Sequence, residues 1–345
     1  MTSRSAGPAP APSPRAQPQD TVRLRGPGDI VAALPALLGY HATDSIVLIV
    51  MGGPGSRVRL TMRVDLPSPT TPTAAAAVAA LLEPGMSTAG GSHAVLVVLD
   101  GDQDGARIVL DAVAPGLERH GLELRDALVV ADRRYRSLLC DDQSCCPAAG
   151  SPVPGSSAAV AAAVASGRVI HGSRNDVRAE IAPPSGRDAD RAERVLRLHS
   201  VAAPHGSLDV TPAAMDAELS SACTAAESHD VPCDQAVRLA LLVGVGEMRD
   251  RAYLHLVQHG ADRHRRLWAS VCRQLPAAHT VVPHVLFALA AYLHGDGAVA
   301  SVALEAAEEV DAAHPSVRLL SDVIAAGIPP SEVRAALAHY MASPD

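Results

Sequence analysis

Three of the six cysteines in this chain fall within seven residues, in Cys140-Asp-Asp-Gln-Ser-Cys145-Cys146-Pro147. A thiolate is the softest ligand and the strongest nucleophile among side chains, so such crowding is the first place to look for chemistry. Three readings fit the spacing. In the first, Cys140, Cys145 and Cys146 offer thiolates to a tetrahedral zinc ion that His171 or a carboxylate completes. The Cys-x4-Cys spacing suits a ligand loop, although the adjacent Cys145 and Cys146 point apart along an extended chain. In the second, Cys140 exchanges between thiol and disulfide with Cys145 or Cys146. Arg133, Arg134 and Arg136 would then lower a thiol pKa, and Asp141 and Asp142 would oppose them. In the third, the thiols only pack, as small hydrophobes do.

Two further constellations are weaker. Asp100-Gly-Asp102-Gln-Asp104-Gly105 places acids at positions 1, 3 and 5 of a calcium loop and glycine at position 6, with Asp111 at position 12. Ile108 stands at position 9, and a strand rather than a helix precedes the segment, so a polar turn accounts for the same residues. Arg133, Arg134, Arg136 and Arg174 can gather around an anion together with the amides of a helix starting after Ser173. Pairing with Asp132, Asp141, Asp142 and Asp176 is the plainer use of those arginines. The histidines are scattered: His255 with His259, and His339 near Glu332, lack a third ligand, and Trp268 reads as a packing anchor.

Composition removes several chemistries. All 29 basic residues are arginine. Without lysine, neither a P-loop nor a Schiff-base enzyme is available in its usual form. A net charge of −8 disfavours broad nucleic-acid binding, and one Trp, one Phe and five Tyr leave few aromatic platforms for bases. No apolar run reaches the ~18 residues of a membrane span. Residues 1–20 are rich in Pro, Ala and Ser without an apolar core. They read as a disordered tail rather than a secretory signal, which places the thiols in a reducing cytoplasm.

The elements that must position the thiols follow from periodicity. Asp29 is the expected N-cap of a helix over Ile30–Leu38 that stops at Gly39. Ile46–Met51 and Arg57–Leu66 form a hairpin, the first strand covered on both faces. A helix over Pro72–Leu82, a strand over Ala94–Leu99, a helix over Ala106–His120 and a strand over Asp126–Ala131 complete an α/β domain with a mixed sheet. The cysteine loop lies just beyond that last strand. After Pro183-Pro-Ser-Gly186 every segment reads helical, from Asp188–Ser200 to Pro330–Ala342. The expected organisation is a tail (1–20), an α/β domain (21–182) and an all-helical domain (183–345), docked as one body.

The run Gly28-Asp-Ile-Val-Ala-Ala-Leu-Pro-Ala-Leu-Leu-Gly-Tyr-His-Ala-Thr-Asp-Ser-Ile-Val47 resembles the opening of an actinobacterial family known as domain of unknown function 4192. The resemblance extends through Arg63-Val-Asp-Leu-Pro67, the cysteine block, Ser173-Arg-Asn-Asp176, Arg249-Asp250 and the segment around Trp268. It continues in Gly295-Asp-Gly-Ala-Val-Ala300 and Ala325-Ala-Gly-Ile-Pro-Pro330. Tyr135 stands where the family carries a tryptophan-containing segment. The resemblance implies that these segments form one unit, and it brings no activity with it.

The expected function is a non-enzymatic interaction or regulatory module, with a protein partner on the helical part and the cysteine loop as a structural, redox-sensing or zinc-sensing element. The alternative is an enzyme acting on a small anionic substrate in a cleft between the cysteine loop and its arginines. In that case Arg133 and Arg136 would hold the anion, and a cysteine would serve as ligand or nucleophile.

Overall fold

Pro27 opens the first helix, at the position where a missing N–H is no loss. That helix, α1 (Pro27–Leu38), is capped by Gly26 and not by Asp29. Asp29 lies in the first turn instead, where its carboxylate accepts the Arg25 N–H at 2.9 Å. Gly39, at φ 81°, turns the chain out of the helix, a left-handed conformation that glycine adopts without steric cost. The computed structural model describes residues 22–202 and 210–342, so the tail expected over residues 1–20 lies outside the described residues.

Strands β1 (Ser45–Gly52) and β2 (Arg57–Asp65) pair as the expected antiparallel hairpin, in register from Ser45 opposite Asp65 to Gly52 opposite Arg57. Helix α2 (Pro72–Thr88) runs six residues beyond its expected end and through Pro84. Packing holds that last stretch: Met86 is buried, and Gly85 lies so close to β2 that a β-carbon would meet Met62 Sδ at 2.2 Å. Strand β3 (His93–Leu99), helix α3 (Gln103–Arg119) and strand β4 (Glu123–Ala131) form a crossover unit, and β3–β4 is the parallel pair. Two short strands follow, β5 (Arg134–Ser137) and β6 (Ser151–Pro152), giving the mixed order β2-β1-β3-β4-β5-β6.

All described elements after β6 are helical. They begin with α4 (Ala158–Ala165), α5 (Arg174–Glu180), α6 (Gly186–Ala202), α7 (Pro212–Ala226) and α8 (Cys233–Gly244). Helices α9 (Gly246–His259), α10 (Ala261–Cys272), α11 (Val281–His294), α12 (Gly297–Asp311), α13 (Pro315–Ala325) and α14 (Pro330–Ala342) follow. Among the described residues, no helix is long and apolar enough to cross a membrane.

The sheet is covered on both faces, which is why β1 and β3 are continuously apolar. Ile46, Leu48 and Leu96 pack with Val78, Leu82 and Val113 of α2 and α3. Val47, Ile49 and Val97 face the other way, into a core that runs through Leu34, Leu38 and Tyr40 to Trp268 and Phe287. That core is continuous across the Pro183–Gly186 segment. A charged seam crosses it too: buried Arg265 reaches Asp296 at 3.1 Å, Arg168 pairs with the same carboxylate, and His171 Nε2 lies 3.2 Å from Arg265. Partners within hydrogen-bonding distance make such burial of charge tolerable.

Candidate functional site

Cys140, Cys145 and Cys146 lie in the loop between β5 and β6, and both ends of that loop are fastened. At the start, Ser137 donates its hydroxyl to Asp126 at 2.6 Å, and the Leu138 N–H bonds the Ala127 carbonyl at 2.7 Å. At the end, Arg134 donates from Nε to the Ala149 carbonyl at 2.6 Å and from Nη2 to the Gly150 carbonyl at 2.8 Å. Gly150, at φ 72°, approaches the Tyr135 backbone where a side chain would be strained. In between, Asp142 accepts both the N–H and the hydroxyl of Ser144, and its own carbonyl accepts the N–H groups of Cys145 and Cys146. This is an Asx-type turn, built from a residue suited to it.

The turn has a chemical consequence. Because the chain coils at Asp142 instead of extending, Cys145 and Cys146 do not diverge. The sulfur atoms of Cys140, Cys145 and Cys146 all lie within 4.8 Å of one another. Tetrahedral zinc with Zn–S bonds of about 2.3 Å requires sulfurs about 3.8 Å apart, so a contraction of at most about an ångström closes the shell. Cys145 is exposed and the other two are half-buried. Among the described residues no fourth His, Cys, Asp or Glu belongs to the group, which leaves one coordination position for water or another ligand.

The same geometry weakens the nucleophile reading. Desolvation and hydrogen bonding to Cys140 push the Cys146 thiol up to about 11. Two of the arginines expected to oppose this, Arg134 and Arg136, are engaged elsewhere. Arg134 holds loop carbonyls, Arg136 reaches Gln103 at 3.3 Å, and Arg133 sits in the β4–β5 turn at φ 58°. Arg174 pairs with Glu305 of α12. The four arginines therefore do not form one anion pocket. His171 is likewise committed, with Nε2 3.2 Å from Glu180 and 3.2 Å from Arg265, and it is outside the thiol group. Among the described residues, two cavities, one beside β2 and α12 and one beside α10, are lined by no residue of the cysteine loop.

The calcium loop is corrected outright. Asp102 is the N-cap of α3, its side chain accepting the Gly105 N–H at 2.6 Å. Residues from Gln103 onward, Asp104 and Asp111 included, are therefore helical and cannot wrap around an ion. Asp100 accepts the Asp44 N–H at 3.1 Å. Acid-x-acid followed by glycine marks a helix start here.

One polar chain escaped the sequence reading. Trp268 Nε1 lies 3.2 Å from His264 Nδ1, His264 Nε2 lies 2.8 Å from His255 Nδ1, and His255 Nε2 lies 2.9 Å from Ser220 Oγ. The His264–Trp268 contact follows from their i, i+4 spacing, but the contacts to α9 and α7 are tertiary. The Ser220–His255 distance is that of a nucleophile and its base, yet the polarity is wrong. Indole N–H only donates, so His264 Nδ1 accepts, His264 Nε2–H donates to His255, and His255 Nε2–H donates to Ser220. Burial keeps both rings neutral, lowering His255 to about 4 and His264 to about 3. A His255 that donates to Ser220 cannot take its proton.

Against known proteins, no curated protein and no solved structure matches the chain. A family model described as a domain of unknown function (DUF4192) matches residues 27–331, which take in the sheet, the cysteine loop and the helices through α13, and the chain belongs to that family.

Proposed function

We propose that this protein is a non-enzymatic regulatory or interaction module whose cysteine loop takes up one thiophilic metal ion, zinc being the best fit. The observation that carries the reading is the convergence of three sulfurs within 4.8 Å on a loop fastened at both ends. Thiolate donors select zinc and similar soft ions. Three protein ligands and a fourth open position suit an ion that exchanges, as a sensor requires, better than a closed structural site.

The organisation supports the same reading. The loop projects from an α/β part, the helical part is docked against it, and binding at the loop stiffens a segment tied to the sheet edge through Arg134. The helical part also exposes single apolar side chains, Leu198 on α6, Leu319 on α13 and Tyr340 on α14, each available to a protein partner. Six free thiols suit a reducing cytoplasm.

The test is metal analysis of protein purified without chelators, then refilled with zinc, alongside the Cys140→Ser/Cys145→Ser variant. One zinc per chain, lost in the variant while the circular-dichroism spectrum is unchanged, supports the reading. Protein that folds normally and takes up no zinc at micromolar concentration ends it.

A further inference from the structure

A cavity of about 400 Å³ opens where the edge strand β2 meets α2, α12 and α13. It lies among elements far along the chain from the cysteine loop, and its volume falls in the range of small-molecule sites. Its walls differ in character. Leu60 and Met62 of β2, Leu82 of α2, Val302 of α12 and Ile324 of α13 make an apolar flank. At another part of the wall Tyr40, Arg63 and Arg174 converge, three hydrogen-bond donors from three separate segments.

Those donors retain unused capacity. Tyr40 is 1% exposed, and its hydroxyl makes no hydrogen bond to the described residues. Burial holds the phenol above its ordinary pKa, against the opposing pull of Arg63 and Arg174, so it remains an O–H donor. Arg63, with a side chain 10% exposed, donates Nε to Ser45 at 2.8 Å and Nη2 to Asp65 at 2.6 Å. Its Nη1 is uncommitted. Arg174 engages Glu305 through Nη2, leaving Nε and Nη1. A guanidinium carries five N–H donors in a planar fork, so both arginines can bind an oxyanion without giving up their present partners. The acidic lining groups lie toward solvent: Glu308 is exposed and bonds Ser321 at 2.9 Å, and Glu305 already neutralises Arg174.

We propose that this cavity binds a small organic oxyanion, a carboxylate or phosphate ester with an apolar body. The anionic head takes the Tyr40 hydroxyl and the free N–H groups of Arg63 and Arg174, and the body lies against Leu60, Leu82 and Val302. The site is separate from the thiol loop, so its ligand need not share the metal's fate.

Isothermal titration of the full chain with octanoate, octyl phosphate, octan-1-ol and acetate tests this. Octanoate or octyl phosphate binds one per chain and raises Tm; the tighter of the two identifies the head group. Octan-1-ol binds at least about tenfold more weakly, since it lacks the charge and a charge-assisted hydrogen bond is worth about that factor or more. Acetate binds at least about tenfold more weakly because it lacks the apolar body and the burial that goes with it. Tyr40→Phe, which removes one oxygen from a buried ring, weakens octanoate about tenfold. Arg63→Gln weakens it further, and Ser301→Leu, which fills the cavity, abolishes binding. Cys140→Ser/Cys145→Ser leaves all of these values unchanged, which keeps the outcome independent of the metal reading. No binding by either anion at millimolar concentration, octan-1-ol binding as tightly as octanoate, or Tyr40→Phe and Ser301→Leu both binding normally would overturn the proposal.

Discussion

The six cysteines divide into two sets of three, and the difference lies in their surroundings. Cys140, Cys145 and Cys146 share one loop, are partly open to solvent and lie within reach of one another. Cys223, Cys233 and Cys272 sit on three different helices, 1%, 3% and 0% exposed, and are among the packed residues of the core. Burial raises all three helical thiols, Cys223 to about 11. There a cysteine behaves as a small hydrophobe. In the loop, the same group has neighbours of its own kind and access to an ion. Residue type supplies the sulfur, and proximity with access decides whether it can ligate.

The widest separation expected between the two sets is in thiol labelling. With metal stripped, Ellman's reagent at pH 8 should modify the three loop thiols, while the helical three wait for unfolding. Added zinc should then protect the loop set alone. Modification of Cys272 at the loop rate would erase the distinction. The next effect concerns the fastening of the loop. Arg134→Ala removes the donor to Ala149 and Gly150, and should weaken zinc in a chelator competition by about 10- to 100-fold, the usual cost of losing a residue that orients ligands. An unchanged affinity would mean that the turn at Asp142 holds the sulfurs unaided.

Stability should show the reverse preference. Cys272→Ser places a hydroxyl in an apolar core and should cost about 1–3 kcal/mol in urea unfolding. Cys145→Ser in metal-free protein should stay within about 0.5 kcal/mol of the parent, as exposed substitutions do. Equal costs would contradict the division. The smallest effect belongs to the buried histidine pair of the helical core. His255 and His264 have folded pKa values below the ordinary one of about 6.5, so the unfolded chain takes up more protons as the pH falls. Their contribution is complete above about pH 6.5 and is lost as the pH drops through about 4 for His255 and about 3 for His264. Urea midpoints measured across that window should decline in the parent and less steeply in His264→Gln. A flat parent profile would refute the neutral chain ending on Ser220.

Much of the architecture was legible because it rests on local signals. Every segment after Pro183–Gly186 reads helical, and Val281–His294 among them is one helix, between a threonine and a glycine at φ 97°. The apolar run of β1 predicts a strand covered on both faces and that of β3 predicts a strand, and both strands are covered on both faces. Misreadings came where a local signal had two meanings. Asp102 looked like a calcium ligand and is a helix cap, because an acid before a helix serves its free N–H groups as well as it serves a cation. Strand β5 went unread because Arg-Tyr-Arg-Ser carries no apolar period. It exists because β4 offers an edge to pair with.

By itself, then, the amino-acid sequence determined the elements, the absence of lysine chemistry, the family resemblance and the thiol-rich segment. All of these depend on neighbours within a few positions or on composition. The turn at Asp142 that brings Cys145 and Cys146 toward Cys140 is local. Tertiary structure alone decided that Arg134 fastens their loop while Arg174 pairs with α12, and that Tyr40 just after α1, Arg63 of β2 and Arg174 of α5 meet at one cavity. Those meetings span tens to hundreds of residues. They depend on how the sheet and the helices bury their apolar faces against one another, and no local spacing encodes that.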